Sequence, residues 1–422
     1  MRVRIEVNSH VEVPARSGTR CLRFRMPHFQ PLESRTLMAA VPPGFVESTI
    51  ATGLAAPTTM AFAPDGRLFV AQQGGALKII KNGQTLATPF VQLKVDSSGE
   101  RGLLGIAFDP AFASNHFVYV YYTVPERSGV AAHNRVSRFT ASGDLAAKRS
   151  ETILLDLDNL TSASNHNGGA LNFGPDGKLY IAVGENNNGA NAQSFNNLLG
   201  KILRINSDGS IPSDNPFLAQ TAGKNESIWA IGLRNPFNFA FNSATGLMLI
   251  NDVGEHNFEE INLGRRSSNY GWPQSEGPTT ARRVRPPLFA YTHGDSNTQG
   301  NAIVGSAFYT PATRTFGRKF AGVYFFADLT SGWIRIFNPA TNAVGLFATG
   351  ISTPVALAVN SDGSLYYLAR GQGDATGIVM RIQTASAAAP AASRVASPFS
   401  QIPIAPVAAP LSIHDKLKAL FS

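Results

Sequence analysis

Six copies of one strand–turn–strand pattern, spaced through the middle of 422 residues, predict an all-β chain folded as a six-bladed β-propeller of four-stranded antiparallel blades. Two further observations agree. Charged residues make up only 15% of the chain while Gly numbers 39 and Phe 27, which suits short strands and tight turns better than helices laced with ion pairs. Helical periodicity sustained over a dozen residues is absent from the sequence.

The clearest copies are residues 57–70, 169–181 and 354–367. Each reads as an apolar strand, an Asp-Gly turn (Asp65-Gly66, Asp176-Gly177, Asp362-Gly363) and a second apolar strand, which is a hairpin signal because Gly supplies the positive φ a tight turn needs. Weaker copies lie at 103–110, 236–242 and 303–309. Keyed on Phe62, Phe108, Phe173, Phe241, Phe308 and Val359, the six are separated by 46, 65, 68, 67 and 51 residues. A blade needs roughly 40–50 residues, so the longer intervals leave room for inserted loops. Third strands follow at Gly200–Ile205, Gly332–Ile336 and Gly377–Ile382. A sandwich or a single barrel would leave the repeated Asp-Gly hairpins unexplained.

The ends differ from this body. Residues 1–44 are expected to be a disordered export leader: residues 1–39 carry +4 of the formal +8, and the segment runs Pro31-Leu-Glu-Ser-Arg-Thr-Leu-Met-Ala-Ala40 into small residues. That string resembles the leaders of exported bacterial proteins, although the usual apolar run is missing; the expected location is periplasmic or extracellular. The propeller is expected over 45–383, and 384–422 reads as an Ala/Pro-rich disordered tail with a short amphipathic segment, Ile413 to Phe421.

Composition also narrows the function. Outside the leader the positive charge is thin, with Arg282, Arg283 and Arg285 the one tight cluster, so no basic face speaks for nucleic acid. The single cysteine, Cys21, lies in the leader and leaves the body without a disulfide, a thiolate zinc site or a cysteine nucleophile. No stretch approaches the ~20 apolar residues of a membrane-spanning helix.

Three loops carry candidate chemistry. In Ser164-Asn165-His166-Asn167-Gly168-Gly169, an imidazole among short polar residues and glycines is suited to general-base work at the channel mouth, or to a plain polar turn. In Gly232-Leu-Arg234-Asn235-Pro236, an arginine beside an amide can hold an oxygen that gains negative charge, or can staple two blades. In the stretch 251–262, Asp252, Glu255, Glu259 and Glu260 with glycine-exposed carbonyls offer hard oxygen ligands for Ca²⁺, or an acidic solvated loop. His116, His133 and His293 read as surface or turn residues, and Asp109, Asp176 and Asp362 as turn residues.

Taken in order, His166-x-x-Gly169-x-Leu171-x-Phe173-Gly174-Pro175-Asp176-Gly177-Lys178-Leu179-Tyr180, Gly232-Leu-Arg234-Asn235-Pro236, Glu260-Ile-Asn-Leu263 and Asn269-Tyr-Gly-Trp-Pro273 resemble the soluble quinoprotein aldose dehydrogenases, the glucose/sorbosone dehydrogenase family. The resemblance covers about residues 45–383. It implies pyrroloquinoline quinone (PQQ) in the channel and a sugar (aldose) or related alcohol as substrate. It also implies His166 as the base and Arg234, with Asn235 beside it, at the quinone oxygen. Gly254 and Glu255 would lie at a catalytic Ca²⁺; Glu260 and Tyr270, the latter through its carbonyl, would belong to a second Ca²⁺ site. Glu259 joins the metal candidates as their neighbour. The chain departs from the soluble glucose dehydrogenases at four positions. Asn165 replaces an acidic residue before the histidine, Thr330 replaces a lysine, and Thr353 and Val355 replace two arginines; Arg335, Arg370 and Lys201 are the cations available to compensate. Two other readings stay open: a non-catalytic carbohydrate- or protein-binding propeller, and a Ca²⁺-dependent lactonase or hydrolase. The electron acceptor is not legible.

Overall fold

The Asp-Gly turns close as the sequence asks. Gly66, Gly177 and Gly363 take φ of +87°, +70° and +84°, and Asp65, Asp176 and Asp362 each accept the backbone N–H two residues on, at 3.2, 3.2 and 2.8 Å. A carboxylate that satisfies its own turn in this way has a structural reason to be there. The first strand of each hairpin then pairs antiparallel with the second, so the local signal sets the register.

The computed structural model describes residues 38–385, and the blades follow one another along the chain. Their innermost strands are Pro57–Phe62, Leu103–Phe108, Leu171–Phe173, Pro236–Phe241, Ile303–Phe308 and Pro354–Val359. All six keyed residues are the last residues of these strands. Blades 3, 4 and 5 are plain four-stranded antiparallel sheets. In blades 1 and 2 the fourth position is divided. Gln84–Thr85 and Val91–Gln92 pair with opposite ends of Ala76–Lys81, and Leu145–Ala146 and Thr152–Asn159 do the same along His133–Ser142. The break in blade 1 turns Phe90 inward, where it is 2% exposed and packs edge-on against Phe69.

Blade 6 is closed by the other end of the chain. Phe45–Leu54 pairs with Gly377–Thr384 as the outermost strand, and Phe45 inserts edge-on among Phe316, Phe320 and Phe347 of blade 5. Residues ahead of the expected start at 45 join this body. Ala39 N–H donates to Glu47 at 2.7 Å, and Ala40 exchanges backbone hydrogen bonds with Thr349. The remainder of the expected leader, with Cys21, and the tail from 386 on, with Ile413–Phe421, lie outside the described residues. Among the described residues no helix is long and apolar enough to cross a membrane.

A cavity of about 460 Å³ is lined by residues from all six innermost strands, which makes the arrangement radial around a channel. A narrower cavity sharing Thr59, Ala170 and Asn238 with it is lined by Glu100, which is bonded to the candidate His166, and by Asn167 and Gly168, which follow that residue in the chain.

Candidate active site at the channel mouth

His166 precedes the innermost strand of blade 3 and has left-handed backbone, φ +56°. For a residue with a Cβ this costs on the order of 1 kcal/mol and is held by its surroundings. Its N–H donates to Glu100 Oε2 at 2.8 Å, and its carbonyl accepts from Asn186 N–H. Gly184 permits that approach: a Cβ there would lie 2.2 Å from the His166 oxygen. The side chain is 6% exposed, with Nδ1 2.6 Å from Glu185 Oε1. A carboxylate therefore orients the imidazole even though Asn165 replaces the acidic neighbour that the resemblance led one to seek. With Nδ1–H donated to Glu185, Nε2 carries the lone pair.

Arg234 and Asn235 lead into blade 4, and Asp252 at the end of Met248–Asp252 accepts both their N–H groups, at 3.0 and 2.8 Å. Asn235 Oδ1 accepts from Gly168 N–H at 3.1 Å, and the Arg234 carbonyl accepts from Glu185 N–H at 2.9 Å. The histidine loop, Glu185 and Arg234 are thus one hydrogen-bonded unit. Arg234 Nη1 donates to the carbonyls of Val253 and Gly254 at 3.1 and 2.7 Å, and its guanidinium lies 5.5 Å from the Trp272 ring. Beside this unit the channel narrows to a throat of about 30 Å³ lined by Thr58, Thr59, Glu100, Asn167, Gly168, Val355 and Arg370 among others.

The acidic residues of 251–262 do not form one donor set. The stretch is two strand ends and a turn, so neighbouring residues face opposite sides of the sheet. Glu259 is fully buried, takes His293 Nε2 at 2.8 Å and Ile303 N–H at 2.8 Å, and staples blade 4 to blade 5. Glu255 is exposed. The Tyr270 hydroxyl donates to the Leu263 carbonyl. Among the described residues no group of three or more His, Cys, Asp or Glu is placed to hold a metal ion. At Gly254 the carbonyl already accepts from a guanidinium, so a Ca²⁺ there would meet a neighbouring cation; that expected site does not fit. Glu260 is different. It pairs across the strands with Asp252, accepts from Asn262 and Gly277, and is pushed up to about 7 by burial, while burial and the facing Glu260 hold Asp252 well above the usual carboxylate range. Asn262 Oδ1 nearby is buried without a partner. Two buried carboxylates and an orphan oxygen fit a cation.

Expectations about four other residues change. His293 and His133 are buried, not surface residues, the former on Glu259 and the latter 3.3 Å from Asp156. Lys201 is fully buried and donates to the carbonyls of Asn191, Ala192 and Leu199, and Arg335 lies against Trp333 and Thr298; neither lines the throat. Arg370 does, with its guanidinium on the Ala56 and Pro57 carbonyls and Gln73. Thr330 is tied to Asp328 and Thr353 to Gly371, while Val355 lines the throat itself. Sequence reasoning missed Glu100, Glu185 and Glu276. Glu185 was reachable: two residues past Val183, whose strand pairs with the one following His166, it is level with the imidazole.

A profile of the "Glucose / Sorbosone dehydrogenase" family matches residues 54–374. Aldose sugar dehydrogenase YliI of Escherichia coli is 34% identical over 220 residues, covering 51% of this chain and 58% of that protein. Quinoprotein glucose dehydrogenase B of Acinetobacter calcoaceticus is 28% identical over 277 residues, 58% of this chain and 56% of that one. The matches thus span little more than half of these relatives. A Thermus thermophilus structure described as a putative oxidoreductase (glucose dehydrogenase) superposes with a TM-score of 0.70 at 28% identity, covering 80% of this chain and all of the other.

Proposed function

The chain belongs to the glucose/sorbosone dehydrogenase family, and from that footing we propose that it is a quinoprotein oxidoreductase that oxidises an aldose or related alcohol at the channel mouth. The observation that carries this reading is the buried Glu185–His166 pair, hydrogen-bonded through Glu185 to Arg234. His166 Nε2 accepts the proton of the anomeric hydroxyl, and Glu185 stabilises the imidazolium that results. Arg234 stabilises the negative charge that develops on the oxygen facing it. PQQ, when bound, supplies the two-electron acceptor for the hydride leaving the sugar carbon, so that an aldose becomes a lactone. The residues that would meet that cofactor are the His166/Arg234 unit, which would face its reacting carbonyl, and Arg370, among the described residues the one cation lining the throat, which would meet a carboxylate. Thr330, Thr353 and Val355 offer no further cation, which weakens the grip on a tricarboxylate by ~1.5–3 kcal/mol for each charged hydrogen bond not made. The same three residues favour the second reading, a carbohydrate- or protein-binding propeller.

Dye-linked sugar oxidation by protein mixed with PQQ tests the proposal. Turnover abolished by His166→Ala and by Arg234→Ala supports it; no turnover with any aldose rejects it, and lactone hydrolysis in its place points to the hydrolase reading. A structural Ca²⁺ would be held by the Glu260 carboxylate and the unpartnered Asn262 Oδ1, with Asp252 facing them. Adding Ca²⁺ is then expected to raise the unfolding temperature, and Glu260→Gln to remove most of that rise.

A further inference from the structure

Glu276 belongs to none of the three candidate loops and lies four residues past Trp272. Its Oε1 accepts four successive backbone N–H groups, those of Glu255, His256, Asn257 and Phe258, at 2.8, 3.0, 3.1 and 3.3 Å, and its Oε2 accepts from Asn257 Nδ2. Successive amides converging on one anion form a nest. Although burial works against its charge, these bonds hold the carboxyl below the ordinary range.

The consequence lies on the far side of each peptide. In a planar trans peptide the C=O points opposite to the N–H, so an amide captured by Glu276 turns its carbonyl away from Glu276. The unit that gives Glu255 N–H to Glu276 presents the Gly254 oxygen to Arg234 Nη1 at 2.7 Å. The unit that gives Phe258 N–H presents the Asn257 oxygen to His293 N–H at 3.0 Å. Only glycine fits at 254, where a Cβ would lie 1.7 Å from the Phe258 oxygen and 2.7 Å from Glu276 Oε1. Trp272, on the same short segment as Glu276, lies against the guanidinium.

We propose that Glu276 is a positioning residue for Arg234: by gathering the 255–258 amides it aims the Gly254 carbonyl at the guanidinium and fixes where that positive charge stands at the mouth. The role goes beyond the proposed oxidation, since it would hold Arg234 for any anionic or electron-rich ligand.

The chain has three tryptophans, Trp229, Trp272 and Trp333. In protein labelled with 5-fluorotryptophan, Trp272→Phe assigns the Trp272 ¹⁹F resonance and Arg234→Ala gives the shift that loss of the guanidinium causes. Glu276→Ala is expected to move that resonance by at least half as much, leaving Trp229 and Trp333 in place, and to add nothing in the Arg234→Ala background. An unmoved Trp272 resonance, or shifts that add in the double variant, overturns the proposal. Should alanine displace all three resonances, Glu276→Gln decides: Trp272 alone moved supports the role, Trp272 unmoved overturns it. In turnover, Glu276→Ala is expected to lower kcat at nearly constant KM and to be non-additive with Arg234→Ala; additive losses count against it. Absence of turnover in the parent protein rejects the oxidation reading, and the Trp272 resonance then decides the role of Glu276 by itself.

Discussion

Two histidine–glutamate pairs stand on the mouth side of this propeller, and they resemble each other closely. His166 meets Glu185 at 2.6 Å and His293 meets Glu259 at 2.8 Å, with both carboxylates buried. What differs is the surrounding. His166 is held in left-handed backbone, and Glu100, Asn167 and Gly168 around it line the channel throat. Glu259 spends its second oxygen on Ile303 N–H of the next blade, and the residues flanking it and His293 do not line that throat. A buried imidazole–carboxylate pair is thus not in itself a catalytic device; strain and neighbours that line the channel throat set the proposed site apart from a staple.

The largest effect that could break this contrast is the removal of each ring. His166→Ala is expected to lower kcat for aldose oxidation by ~10²–10⁴-fold with little change in urea unfolding. His293→Ala is expected to keep kcat within a few-fold and to cost about 3 kcal/mol of stability, because it strands a buried carboxylate. Equal kinetic losses in the two variants would dissolve the distinction.

The carboxylates come next. Glu185→Gln keeps the shape but cannot stabilise an imidazolium, so kcat should fall by ~10²-fold while the unfolding temperature hardly moves. Glu259→Gln should leave kcat alone.

The subtlest difference is in titration. Burial opposes charge on His293, but Glu259 beside it raises the imidazole above its ordinary 6.5, and burial raises Glu259 as well. Both folded-state values lie above the unfolded ones, so the folded protein binds the extra protons. The stability from the His293 interaction is fully present below the unfolded pKa and is lost as pH rises through the folded one. A ring titration followed by NMR should give a His293 midpoint above 6.5, and Glu259→Gln should bring it below that value. A midpoint unchanged by Glu259→Gln would mean that the carboxylate does not hold the proton.

The contrast also marks where sequence reading succeeds. Hairpins are local: the Asp65, Asp176 and Asp362 turns and the six strand-ending residues from Phe62 to Val359 follow from neighbours in the chain. His166 and Arg234 stood out as candidates through glycine-rich and proline-bounded loops. Their partners did not, since Glu100 reaches His166 from 66 residues away and the ring's carboxylate comes from the far strand of the hairpin. Reading 251–262 as one acidic loop failed for a simple reason. Strand alternation sends Glu259 toward Tyr291 and His293, and Glu260 toward Asp252 and Gly277.

The central claim is that the mouth of this channel is a quinone site despite the threonines and valine where cations were expected. Calorimetric titration of the protein with PQQ in the presence of Ca²⁺ tests it most directly. The account predicts saturable one-to-one binding at micromolar or tighter, weakened at least about tenfold by Arg370→Met. No heat up to high micromolar PQQ, or binding indifferent to both Arg234→Ala and Arg370→Met, would contradict it and leave a recognition propeller with a histidine pair at its mouth.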